Sequence, residues 1–310
     1  MLIKGADFLV NGASSLAKKF NISEIAIGLT VVAMGTSAPE LVVNAIAGLE
    51  GHDDVVFGNI IGSNIFNMFL ILGVSGSIYP LFVQNDTVWK EIPFNIAITI
   101  LLLVMVNDHL IFGGNMNRLS TVDASILLFL FIGFLVYVFL NMKETGETEI
   151  EDLEVYNNKK TILMIAGGMA GLGIGGDLIV DNAVQVAEAF QISQKLIGLT
   201  ILAAGTSLPE LATSAVAAFQ KKSDIAVGNI VGSNIFNLLL VLGISAFLDP
   251  LDFNVELNTD LIIVVIGTTM LFVFMFTFKK YRLDRIESTI YLIGFIAYMT
   301  YLFVREQTVI

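Results

Sequence analysis

Two carboxylates stand where a carboxylate is costly. Glu40 is the only charged residue between Glu24 and Glu50, and Glu210 is alone in an equally apolar run. Each directly follows a proline, in GTSAPE at 35–40 and in GTSLPE at 205–210. An acid inside a bilayer costs about 2.5–3.5 kcal/mol on insertion scales, and two close together cost more unless something positive lies between them. No Lys or Arg occurs within 25–49, 55–79, 196–219 or 225–248 to supply that charge, so a bound cation is the simplest partner. A proline in a helix has no N–H and disturbs the carbonyl four residues back, which points to breaks at Gly35 and Gly205. Such breaks are tolerated in a membrane only where they face protein or a cavity. There the oxygens of Thr36, Ser37, Thr206 and Ser207 become available.

A second motif follows each acid, GNIIGSNIFN at 58–67 and GNIVGSNIFN at 228–237. Asn59, Ser63 and Asn67, like Asn229, Ser233 and Asn237, are spaced i, i+4, i+8, which lines up amide and hydroxyl oxygens along one helix face. Gly58 and Gly62, and likewise Gly228 and Gly232, form GxxxG beside that stripe and admit close helix approach. Carboxylates, hydroxyls, carbonyls and amides are hard oxygen donors suited to Ca2+ and Na+, and the absence of Cys and near absence of His argue against zinc or copper. A lone polar stripe can equally be helix-packing glue, and a lone buried Glu can be a protonated packing residue or a proton relay. The appearance of both features in both copies favours an ion site. Asp177, Asp181 and Glu188 read as water- or interface-facing, Asp123 as a helix-terminus acid, and His52 and His109 as solvated loop residues.

The elements that must position these groups are membrane helices. Of 310 residues, 55% are hydrophobic and 14% charged, and the mean hydropathy is +0.82, far beyond the needs of a soluble core. Apolar runs at 25–49, 55–79, 92–106, 124–142, 161–176, 196–219, 225–248, 261–278 and 288–304 give nine spans. The net charge of -12 argues against nucleic acid as a partner. A shift of 170 residues superposes 28–73 on 198–243 without a gap, with 25 of 46 positions identical. Five spans separate the copies, so the second is inverted in the bilayer, the arrangement of secondary transporters with a midplane site. The division is a first half at 1–142, a linker at 143–160 and a second half at 161–310. In this register residues 1–20 match only the later part of the helix spanning about 161–190, so the first helix is expected to be truncated. Assigning loops alternately places 12 Lys/Arg residues on one side and 3 on the other. The richer side, which includes the linker, is then cytoplasmic and the C-terminus outside.

At these motifs the chain resembles the cation/Ca2+ antiporter superfamily, in its prokaryotic sodium/calcium exchanger branch with inverted alpha-repeats. The resemblance implies an all-α polytopic membrane protein of ten helices, the first truncated, lying in the cell inner (plasma) membrane. It implies exchange of Ca2+ for Na+ by alternating access, the two ions being cargo, with no prosthetic group and a monomer sufficing. Carried over to this sequence, Glu40 and Glu210 become the central ligands, Thr36 and Thr206 give backbone carbonyls, and Ser37, Ser207, Ser63 and Ser233 give hydroxyls. Asn67 and Asn237 complete the set; several family members have an aspartate at one of these two positions, so this site holds at most two formal negative charges. Rival readings are a Ca2+/H+ or K+-dependent antiporter, a passive cation channel and an intramembrane hydrolase using two carboxylates.

Overall fold

The computed structural model describes residues 1–108, 113, 116–141, 155–189 and 203–308. In chain order the helices are α1 (Leu2–Phe20), α2 (Glu24–Thr36), α3 (Ala38–Leu49), α4 (Asp53–Ile78), α5 (Thr87–Met105) and α6 (Thr121–Leu140). They continue as α7 (Asn158–Ala189), α8 (Ala203–Thr206), α9 (Leu208–Phe219), α10 (Ser223–Leu248), α11 (Val255–Phe274) and α12 (Arg285–Thr308). Among the described residues seven helices are long and apolar enough to cross a membrane, or eight if α2 and α3, bent by 49° at their junction, are one span.

The break expected from Pro39 within 25–49 is present, but it falls at Ser37, two residues after Gly35, which stays helical. Ser37 leaves the helical backbone region (φ -86°, ψ 7°), and Pro39 falls in the first turn of the helix that restarts behind it. There its missing N–H is no loss, because the first N–H groups of a helix lack intrahelical partners in any case. Ser207 repeats the geometry (φ -86°, ψ 1°) between α8 and α9. The fifth helix starts five residues before the apolar run predicted from 92. It takes in Lys90, paired with Asp86 at 2.6 Å, and Glu91, which accepts a hydrogen bond from Tyr137. Asp177 is exposed, as read from the sequence, and Ser120 with Asp123 forms a capping box at the start of α6. His109 and most of the linker lie outside the described residues, as do the side chains of Asp181 and Glu188.

The two halves run in opposite directions. Asp53, at the start of α4, accepts from the Asp252 N–H just beyond α10 at 2.8 Å, while Gln84, just beyond α4, donates to Asp224 at the start of α10. Four two-residue strands repeat the relation. β1 (Leu81–Phe82) pairs antiparallel with β4 (Arg282–Leu283), and β2 (Arg118–Leu119) with β3 (Leu251–Asp252). Each ladder therefore joins one half to the other.

Helices approach closest where side chains are missing. At Gly28 a Cβ would stand 3.1 Å from the Gly228 Cα, and at Gly228 it would stand 2.9 Å from the Ile25 carbonyl oxygen, so α2 and α10 cross backbone to backbone. A similar seam joins α1 to α7, where a Cβ at Gly5 would meet the Gly168 carbonyl oxygen at 2.9 Å and one at Gly175 would meet the Leu2 N at 2.8 Å. Opposed small residues of this kind drive helix association in lipid, where burial of apolar surface gives no preference. Backbone cannot move aside as a flexible side chain can. Gly228→Val is expected to destabilise the protein by about 1–3 kcal/mol, read as a lower thermal transition in detergent. Gly133→Ala, where nothing lies within 4 Å of the new methyl, should leave the transition unchanged or raise it.

Candidate cation site

All ten residues singled out in the sequence are buried. Glu40 and Glu210 are each only 1% exposed, and Ser37, three residues before Glu40, bonds to Glu210, which brings the two acids to one site. The breaks explain how they get there. Because α3 and α9 restart one residue after Ser37 and Ser207, each glutamate falls in the first turn of its helix, where the partial positive charge of the helix N-terminus favours an anion.

Contacts between the halves close the site. Ser37 Oγ donates to Glu210 Oε1 at 2.8 Å, and Ser233 Oγ reaches the same oxygen at 3.4 Å. Thr36 Oγ1 donates to Asn229 Oδ1 at 3.0 Å, mirrored by Thr206 Oγ1 to Asn59 Oδ1 at 3.1 Å. Asn67 Nδ2 donates to Asn234 Oδ1 at 2.9 Å, mirrored by Asn237 Nδ2 to Asn64 Oδ1 at 3.1 Å. Every one of these pairs except Ser233–Glu210 joins residues of opposite halves.

What remains unmatched around the two acids is mostly oxygen, beside the amide nitrogens of Asn59 and Asn234, which also lack a partner among the described residues. Both carboxylate oxygens of Glu40, Oε2 of Glu210, Oδ1 of Asn67, Oδ1 of Asn237, and the hydroxyls of Ser63 and Ser207 are buried without a hydrogen-bond partner among the described residues. Buried polar groups are nearly always paired, and each unpaired one costs about 1–3 kcal/mol. Seven oxygens from six residues on both breaks and both stripes, none of them engaged in an existing bond, describe a nest for a cation rather than for an anion. No ion pair reaches either carboxylate among the described residues. Nor does any described group of three His, Cys, Asp or Glu residues come together, so neutral oxygens must make up most of the shell, as hard cations such as Ca2+ accept.

The helical stripe needs one amendment. After Ile65 the fourth helix widens into a π segment at Phe66–Ile71, and after Phe236 the tenth does so at Asn237–Val241, so Asn67 and Asn237 sit in wider turns than a regular i, i+4 ladder provides. Single π turns of this kind concentrate at functional sites. Sequence reading also passed over Asn64 and Asn234, which fall off the stripe yet hold both of its outer asparagines. The signal for them was present: the Ser-Asn pair is repeated in both copies, and only its Ser lies on the i, i+4 line.

Comparison with known proteins agrees in sequence and in shape. The family described as Sodium/calcium exchanger protein matches residues 1–140 and 160–304. CaxA of Alkalimonas amylolytica is 36% identical over 312 residues, covering 98% of this chain and 95% of that one. The sodium/calcium exchanger MaX1 of Methanosarcina acetivorans is 29% identical over 335 residues, covering 97% and 95%. The solved structure of the sodium-calcium exchanger NCX_Mj superposes with a TM-score of 0.82 at 32% identity, over 96% of this chain and 94% of that one. With a family match along nearly its whole length and the same fold at that identity, this multi-pass membrane protein belongs to the sodium/calcium exchanger protein family.

Proposed function

We propose that the protein exchanges Ca2+ for Na+ across the cell membrane by alternating access, with the buried oxygens around Glu40 and Glu210 as the shared ion site. The observation that carries this reading is the pair of carboxylates, contributed by oppositely oriented halves, with unmatched oxygens and, among the described residues, no ion pair to either of them. Ca2+ matches their combined charge, and Na+ competes for the same oxygens, which couples the two fluxes. In this assignment Ser37, Ser63, Ser207 and Ser233 add hydroxyls, Asn67 and Asn237 add amide oxygens, and Thr36 and Thr206 add backbone carbonyls while their hydroxyls hold Asn229 and Asn59. Relatives named as sodium/calcium exchangers support the choice of ions. The site closes within one chain, so a monomer suffices.

The helix packing supports the moving part. The α1–α7 seam, closed by glycines, makes that pair a unit, while the two strand ladders tie the remainder of the halves together. Where α1 meets the turn before α10 the contacts are polar: Gln220 Nε2 donates to Asp7 Oδ1 at 2.8 Å and Lys222 Nζ to Asn11 Oδ1 at 3.0 Å. Burial lowers the pKa of the Lys222 ammonium, against the opposing pull of Glu24 and Asp7. Polar bonds at the rim can exchange with water as α1 and α7 slide, whereas an apolar seam would have to expose its surface.

In proteoliposomes an outward-directed Na+ gradient is expected to drive Ca2+ uptake. Glu40→Gln and Glu210→Gln should each lower that uptake about 10-fold or more, since the loss of one charged contact of 1.5–3 kcal/mol corresponds to roughly that factor. Uptake that ignores Na+ but follows a pH gradient would replace the reading with Ca2+/H+ exchange. Topology is testable because the chain has no cysteine. A single Asp54→Cys should react with an impermeant maleimide on intact cells, and Lys279→Cys only after permeabilisation; the reverse pattern would invert the assigned orientation.

A further inference from the structure

We propose that Asn64 and Asn234 are positioning residues that lock the amides of Asn237 and Asn67 with oxygen toward the ions, and so set cation affinity without touching an ion. The proposal rests on the assignment of Asn67 and Asn237 as ion ligands and concerns what keeps them usable.

A carboxylate offers an oxygen whichever way it turns, but an asparagine does not. Rotated by half a turn, its amide presents an NH2 group, whose hydrogens repel a cation. A site that uses amides must therefore fix their orientation. The geometry does so reciprocally across the two halves. Asn237 Nδ2 is committed to Asn64 Oδ1 at 3.1 Å, and Asn67 Nδ2 to Asn234 Oδ1 at 2.9 Å. The Oδ1 atoms of Asn67 and Asn237 are the ones left buried and unpartnered. Asn64 is itself tied down, its Nδ2 reaching the Asn234 carbonyl oxygen at 3.5 Å. All four side chains are 0–1% exposed, so water cannot substitute for a lost acceptor. Were either lock removed, the turned and unturned amides would differ little in energy, and part of the population would present the wrong group to the ion.

Because the lock acts on binding, its loss should appear in KM rather than in the maximal rate. In the proteoliposome assay Asn64→Leu, of similar size but with no acceptor, is expected to raise the KM for Ca2+ about 5–30-fold, the factor that a change of one or two kcal/mol gives, with the maximal rate within about twofold. Asn234→Leu should do the same through Asn67. Asn64→Asp, which retains an acceptor oxygen at the same place, should stay within about threefold of the wild-type KM. A purely structural role would instead lower the thermal transition and the amount of folded protein, leaving KM unchanged. An unchanged KM in the leucine variants, or an aspartate variant no better than leucine, overturns the proposal. If Asn64→Leu is not recovered folded, Asn64→Ala takes its place under the same criteria. Absence of Ca2+ uptake by the wild type would instead overturn the transport reading on which the lock depends.

Discussion

The structure is organised around two carboxyl groups that hydrocarbon cannot solvate as ions. Everything near Glu40 and Glu210 can be understood as a means of making their burial tolerable: helix N-termini that start just before them, hydroxyls and amides with free lone pairs, and the exclusion of lysine and arginine, which would neutralise them permanently. A resident ammonium or guanidinium would give a stable ion pair and a site that binds nothing. Under the proposed function the compensation is left to a mobile ion, so that occupancy becomes a condition of electrostatic comfort, the property a carrier needs.

The second organising fact is reciprocity. Thr36 bonds to Asn229 while Thr206 bonds to Asn59, and Asn67 bonds to Asn234 while Asn237 bonds to Asn64. The duplication did not place two half-sites side by side, since each half holds the polar groups of the other. Symmetry is incomplete at the centre, however. Ser37 donates to Glu210, but its counterpart Ser207 has no hydrogen-bond partner among the described residues, and Asn44 stands where the second copy has Ser214, which accepts from Asn229 at 2.9 Å. The two glutamates therefore sit in similar but unequal surroundings.

Much of this was legible in the chain. Hydropathy, the 170-residue register and the isolated acids were enough to indicate a bundle of inverted repeats around a buried oxygen nest, because burial of charge in lipid is so costly that the sequence must arrange for it openly. The bend before Pro39 followed from the missing N–H of proline. The π segments at Phe66–Ile71 and Asn237–Val241 did not, since a turn widened by one residue leaves no mark in apolar periodicity. The early start of the fifth helix was hidden for a related reason: Lys90 and Glu91 interrupt the apolar run but find partners in Asp86 and Tyr137. The roles of Asn64 and Asn234 were out of reach because a contact between residues 167 to 173 positions apart is a tertiary fact, and spacing within one helix speaks only to its own face.

The crosswise bonding has a bearing on biogenesis. A ribosome delivers the amino-terminal repeat to the bilayer well before its inverted twin emerges, so for that interval Ser37, Asn59 and Asn67 reside in lipid without the groups that later satisfy them. The nascent half must shelter its polar stripe by hugging its own helices, at the insertion machinery or near the headgroups. Assembly is thereby complete only when the carboxyl-terminal repeat arrives, and neither repeat is self-sufficient.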